Sequence, residues 1–187
     1  MGTLRHWLTK SKYGGKVVSG RPFDRALLGI LAGVAATMAM TATMRRLHAI
    51  LPDDERYPLP PRELVDNSVV APDEDGLRSK TLLAHFGFGG LTGALFALLP
   101  AIRGDGVVYG LGVWALSYFG WIPAARILAP AHCHAFRRNS LMIAAHIVWG
   151  LTLSKSLKEM ESAADEAFAS SGKRPMRPKE KAERRRG

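Results

Sequence analysis

With 187 residues, the chain has room for one domain. It carries 26 Lys and Arg against 16 Asp and Glu, a net charge of +10, but these charges fall almost entirely in 1–25, 45–80, 126–138 and 155–187. A water-soluble fold interleaves charge with its apolar stripes, so the long charge-free stretches between these segments exclude an ordinary soluble domain.

Four of the charge-free stretches are long enough to cross a bilayer, which takes about 20 mainly apolar residues. They are 26–44, 81–102, 106–125 and 139–154, each flanked by charged residues. The last is the shortest, and its alternative is a helix lying at the membrane surface. The sequence therefore predicts an all-α fold, a four-transmembrane-helix bundle over 26–154. Because only residues 103–105 join the second and third spans, we expect these two to pack as a tight antiparallel hairpin.

The charged segments outside the spans have their own signatures. In the loop 45–80, the run Tyr57-Pro-Leu-Pro-Pro-Arg-Glu63 predicts extended, polyproline-like backbone. The segment 155–187 predicts a helical continuation of the fourth span followed by a disordered basic tail. The basic ends, 1–25 and this tail, favour contact with anionic lipid headgroups. No aromatic residues are interleaved with the tail charges, so we expect no nucleic-acid partner.

Lysine and arginine are enriched on the cytoplasmic side of membrane proteins. The two ends and the turn at Arg103 carry 17 of them, against nine in 45–80 and 126–138 together. Both termini are therefore predicted in the cytoplasm. Arg126, Arg137 and Arg138 then face outward, against the rule.

Small residues at four-residue spacing let membrane helices approach closely. Glycine pairs with this spacing occur in the first three spans, and the fourth has one glycine four residues after His146. The predicted packing faces of a compact bundle are therefore Gly29, Gly33, Gly89, Gly93, Gly106, Gly110 and Gly150. This spacing is common in membrane helices. It is compatible with a homo-oligomer and does not by itself indicate a partner.

A hexapeptide pattern recurs in the second and fourth spans. Ala84-His-Phe-Gly-Phe-Gly89 and Ala145-His-Ile-Val-Trp-Gly150 share Ala, His, an aromatic residue and Gly in the same order. The pattern suggests two helical hairpins related as a weak internal repeat, with chance similarity as the alternative.

The repeat places His85 and His146 at similar depth, each with a glycine four residues later. An unpaired imidazole in hydrocarbon is costly, so both are expected to find partners inside the bundle. Residues of compatible depth are Thr37, Thr41, Thr43, Ser117 and Tyr118. Three alternatives remain: histidines that only join helices, a proton-responsive or ligand-binding pocket, and a paired-imidazole haem or metal site.

The remaining candidate motifs give little evidence for a metal site or a catalytic site. His132-Cys133-His134 could bind a soft metal, but no second cluster completes a site, and we expect ordinary loop residues. Cys133 is the single cysteine, which excludes an intramolecular disulfide. Nucleophile-elbow, zinc-protease, phosphate-loop and dinucleotide signatures are absent from the sequence. The prediction is therefore of no enzymatic activity, no resident metal and no cofactor.

The motifs Tyr57–Glu63, Ala84–Gly89, Gly112–Pro123 and Arg138–Gly150 together resemble the YagU-like family of small bacterial inner-membrane proteins without an assigned function. The resemblance covers about 26–154. It implies a bacterial inner-membrane location and a loose link with acid tolerance, and it supplies no catalytic residues. Our functional hypothesis is an outward-opening, histidine-lined pocket that senses or relays protons. The alternatives are a membrane haem protein and an accessory or scaffold subunit of a membrane complex.

Overall fold

A computed structural model describes residues 22–53, 56, 60–68, 74–99 and 102–172. In this part of the chain all regular elements are helical, and five helices of nine residues or more follow one another: α1 Pro22–Ala49, α2 Pro60–Ser68, α3 Glu74–Leu98, α4 Gly106–Ala124 and α5 Phe136–Gly172. Helices α1, α3, α4 and α5 are long and apolar enough to cross a membrane. The predicted all-α, four-helix bundle is confirmed. The basic segments 1–21 and 173–187, and their predicted lipid contacts, lie outside the described residues.

The four long helices are arranged in the order α3, α1, α5, α4. Helix α1 packs against both α3 and α5, and α5 packs against α4, whereas the backbones of α3 and α4 stay apart and only side chains join them. The expected tight hairpin between the second and third spans is therefore wrong. The physical reason is that α3 and α4 use their glycine faces elsewhere, on α1 and α5 respectively, so the turn between them joins two helices whose backbones are not in close contact.

Glycine makes the contact between α1 and α3 possible. A methyl group built on Gly29 would lie 2.6 Å from the carbonyl oxygen of Gly93, and one on Gly33 would overlap the carbonyl of Gly89. Gly89 is equally restricted, because a methyl group there would overlap the Thr37 hydroxyl. The two backbones are thus in direct contact, as small-residue faces allow in membranes.

Helices α4 and α5 repeat this arrangement. A methyl group on Gly110 would lie 2.5 Å from the carbonyl oxygen of His146, and Gly106 and Gly150 would each overlap the other's carbonyl. Both hexapeptides therefore end on a glycine at a helix crossing, Gly89 on α1 and Gly150 on α4. This common geometry agrees with the two-hairpin interpretation, while the repeat itself stays a prediction.

Helix α4 is irregular at its far end. Asp105 caps its start by accepting hydrogen bonds from the amides of Val107 and Val108, at 2.8 and 3.2 Å. At Leu116–Trp121 the helix widens into a π-helical turn, in which the Ile122 amide donates to the Ser117 carbonyl. Pro123 follows and cannot donate to the preceding turn. The widened turn places Ser117 and Tyr118 in the interior, where both are buried.

Helix α2 corrects the interpretation of the loop. Extended backbone was predicted for 57–63, yet α2 begins at Pro60. Proline favours the first turn of a helix because its missing N–H has no intrahelical partner there. Residues 57–59 lie outside the described residues. Helix α2 packs on α3, and its Glu63 forms an ion pair with Arg138 at the start of α5, at 2.5 Å.

Candidate functional site

A partly open cavity of about 310 Å³ lies inside the half of the bundle that carries α2. All five helices contribute to its wall. Most of the lining side chains are apolar or aromatic, and the imidazoles of His85 and His146 lie in the interior wall together with the Tyr118 phenol. Concave, mainly apolar sites with a few polar groups are the usual form of a small-molecule site.

His85 on α3 is held by α1. Its Nε2 lies 3.1 Å from the hydroxyl oxygen of Thr41, and that hydroxyl donates its single proton to the Thr37 carbonyl at 2.8 Å. Because the Thr41 proton is used there, the hydroxyl accepts and His85 Nε2–H donates. A neutral imidazole with Nε2–H carries its lone pair on Nδ1.

His146 on α5 is held by its own helix. Its side chain is 8% exposed, and its Nδ1 lies 2.8 Å from the Met142 carbonyl oxygen. A carbonyl only accepts, so Nδ1–H donates, and the lone pair of the neutral ring is on Nε2. His146 therefore does not need a neighbouring helix to satisfy its donor.

The hydroxyl and indole groups around the histidines are already engaged. Thr37 donates to the Gly33 carbonyl at 2.8 Å and accepts from the Trp149 indole at 3.2 Å. Thr92 donates to the Phe88 carbonyl at 2.8 Å. Because each of these O–H and N–H groups already donates a hydrogen bond within the protein, none of them is left to donate to a ligand.

Aromatic side chains close the gap between α3 and α4. Phe88 and Trp121 lie 6.1 Å apart between ring centroids, both line the cavity, and their exposed fractions are 39% and 47%. The Trp121 indole donates to the Ser117 hydroxyl at 3.2 Å. At the other end of the gap, the Tyr109 hydroxyl donates to the Thr92 carbonyl at 2.7 Å. On this side, therefore, only side chains separate the cavity from the bundle's surroundings.

Helix α2 forms the cavity's roof. Pro61, Leu64 and Val65 line the cavity, and Val65 is only 5% exposed. The ion pair between Glu63 and the buried Arg138 fastens this roof to α5. An amphipathic helix, apolar towards the cavity and charged on its other side, therefore covers the end of the bundle.

The structure brings most of the predicted pocket together. His85, His146, Ser117 and Tyr118 line the cavity, and Thr41 contacts His85 without forming part of the wall. Of the other threonines considered, Thr37 lines the cavity. Thr43 instead donates to the Ala39 carbonyl of its own helix.

Sequence reasoning missed the roof and the aromatic gap. The Pro60-Pro61 pair followed by Glu63 was a usable signal for a helix start. Nothing comparable marked Phe88 and Trp121 as neighbours, because that contact depends on α3 and α4 standing apart.

A comparison of the chain with family models, curated proteins and solved structures found no match in any of the three. The resemblance to the YagU-like family therefore stays a prediction.

Proposed function

We propose that this chain is a non-enzymatic integral membrane protein of the bacterial inner membrane, and that it binds a small lipophilic molecule in the cavity beneath α2. The observation that carries the proposal is the cavity itself. It has a mainly apolar wall and two imidazoles, and the aromatic pair Phe88 and Trp121 lies on the side between α3 and α4. A molecule dissolved in the bilayer core reaches that side without crossing water.

The binding proposal is tested by filling the cavity. Val113 lines it, whereas Val108, on the same helix, is 66% exposed and outside it. We expect 2-methylnaphthalene to raise the unfolding temperature of the wild type by about 5 °C at 100 times its Kd. Val113→Trp should abolish this rise, and Val108→Trp should retain it. Equal responses of the two variants, or none in the wild type, would contradict binding in this cavity.

The proposed orientation has both termini in the cytoplasm. The ion pair between Arg138 and Glu63 supports it, because a neutralised arginine adds little to the positive charge of the outer side. This pairing offers a reason why one of the outward arginines goes against the rule.

The native cysteine tests the orientation. Cys133 is exposed in the segment between α4 and α5. In intact cells, a membrane-impermeant maleimide should label Cys133. A Cys133→Ser, Gly104→Cys variant, with its cysteine in the turn before α4, should be labelled only after the membrane is permeabilised. The reverse pattern would place the termini outside.

Proton sensing or relay by His85 and His146 is a second proposal, supported by the chain from His85 through Thr41. That chain ends on the Thr37 backbone carbonyl, which cannot release a proton, so the contact favours sensing over transfer. If the double variant His85→Phe, His146→Phe leaves acid survival unchanged, this proposal fails. The haem-binding and accessory-subunit alternatives stay predictions.

A further inference from the structure

The hydrogen-bond pattern of the two histidines specifies which polar group a ligand must carry. This inference rests on the proposed function, since it concerns the ligand of the same cavity. Each imidazole has used its N–H within the bundle, His85 towards Thr41 and His146 towards the Met142 carbonyl. Within the part of the chain that the structure describes, no hydrogen bond reaches His85 Nδ1 or His146 Nε2.

The lone pairs on His85 Nδ1 and His146 Nε2 lie in a mainly apolar cavity and need a hydrogen-bond donor. Leaving a buried acceptor without a partner costs about 1–3 kcal/mol, and protonating the ring would place a charge among apolar side chains at a greater cost. The nearby hydroxyl and indole donors of Thr37, Thr41, Thr92 and Trp149 are already committed to other acceptors. Ser117 and Tyr118 also line the cavity, but in the described part of the chain neither hydroxyl is hydrogen-bonded to His85 or His146. The bound molecule itself is thus the suitable source of an O–H.

The cavity's shape and wall suggest the rest of the molecule. A cavity of about 150 Å³ holds one benzene ring, so about 310 Å³ suits a compound of two fused rings. Phe88, Tyr118, Trp121 and Trp149 line it, and aromatic pairs add attraction beyond their buried area.

We infer that the cavity selects hydroxyl-bearing aromatic molecules of about two rings, whose O–H donates to Nε2 of His146, with Nδ1 of His85 as the second acceptor. His146 is the principal acceptor because it is the more deeply buried of the two. A site that hydrogen-bonds a ligand hydroxyl discriminates strongly against an analogue without it, because the acceptor is then left unpaired.

The test compares two probes of nearly equal shape, 2-naphthol and 2-methylnaphthalene. Binding to the protein in phosphatidylcholine nanodiscs is measured by isothermal titration calorimetry. The measured quantity is the ratio of the two Kd values, taken in the wild type and in His146→Phe. Dividing one ratio by the other cancels the different partitioning of the probes into lipid.

We expect the preference for 2-naphthol to fall by about tenfold in His146→Phe. His146→Leu, with a smaller side chain, should show the same loss and serves if the Phe variant does not fold. Leu151→Phe is the matched control, since Leu151 is 43% exposed on the same helix and outside the cavity wall, and it should keep the wild-type ratio.

The possible outcomes distinguish the inference about the ligand hydroxyl from the proposed function. If both probes bind and the ratio is the same in the wild type and the His146 variants, donor recognition is wrong while the proposed function stands. If neither probe binds the wild type, the proposed function fails as well. A loss of preference confined to the His146 variants supports both.

Discussion

Gly89→Ala is expected to lower the free energy of unfolding by about 2–3 kcal/mol, whereas Gly87→Ala leaves it unchanged or raises it slightly. A methyl group at Gly89 would overlap the Thr37 hydroxyl, and nothing lies within 4 Å of one at Gly87. Thr37 cannot turn away without giving up its hydrogen bonds to the Gly33 carbonyl and the Trp149 indole. Overpacking is costly where neither neighbour can move.

The second hairpin offers the same comparison. Gly110→Ala should destabilise by a similar amount because its methyl group would meet the His146 carbonyl, and Gly112→Ala should not, because the space there is open. The measurement is reversible unfolding in mixed micelles with increasing SDS, followed by circular dichroism. Equal midpoints for Gly89→Ala and Gly87→Ala would show that Gly89 does not pack directly against Thr37.

Glu63→Gln is expected to lower the free energy of unfolding by about 3 kcal/mol and to loosen the roof of the cavity. It leaves the Arg138 guanidinium, in a residue only 8% exposed, without its carboxylate partner. Breaking a buried ion pair costs far more than losing a surface contact. Asp66→Asn is the matched control, because Asp66 forms an ion pair with Arg62 in a more exposed position of the same helix. Loss of the Asp66–Arg62 ion pair should lower the free energy of unfolding by about 0.5 kcal/mol.

Detachment of α2 has a direct readout. In a Cys133→Ser background, Val65→Cys places a thiol on the cavity-facing side of α2, at a position that is 5% exposed. Glu63→Gln should speed the reaction of this thiol with a maleimide, and Asp66→Asn should leave its rate unchanged. A slow thiol in both variants would mean that apolar contacts of Leu64 and Val65, and not the ion pair, hold α2 in place.

Spans and packing faces were predictable from sequence because both depend on local composition. A charge-free stretch of bilayer length forms a helix wherever it sits, since hydrocarbon leaves its backbone groups no other partners. Glycines four residues apart lie on one face of that helix for geometrical reasons. Thus Gly29, Gly33, Gly106 and Gly110 could be assigned to helix contacts before any partner helix was known.

The partner helix of each glycine face could be identified only from the tertiary structure. The three residues between the predicted second and third spans suggested a hairpin of α3 with α4, yet Gly89 packs on α1 and Gly110 on α5, which leaves the backbones of α3 and α4 apart. That separation, and the side-by-side position of Phe88 and Trp121 within it, are properties of the arrangement of helices. Which ring nitrogen of each histidine carries the proton is another such property. It depends on whether the Thr41 hydroxyl or the Met142 carbonyl accepts the hydrogen bond from that N–H. Local composition determines which segments become membrane-length helices, but a cavity exists only between helices, and its chemistry depends on which hydrogen bonds the packing has already satisfied.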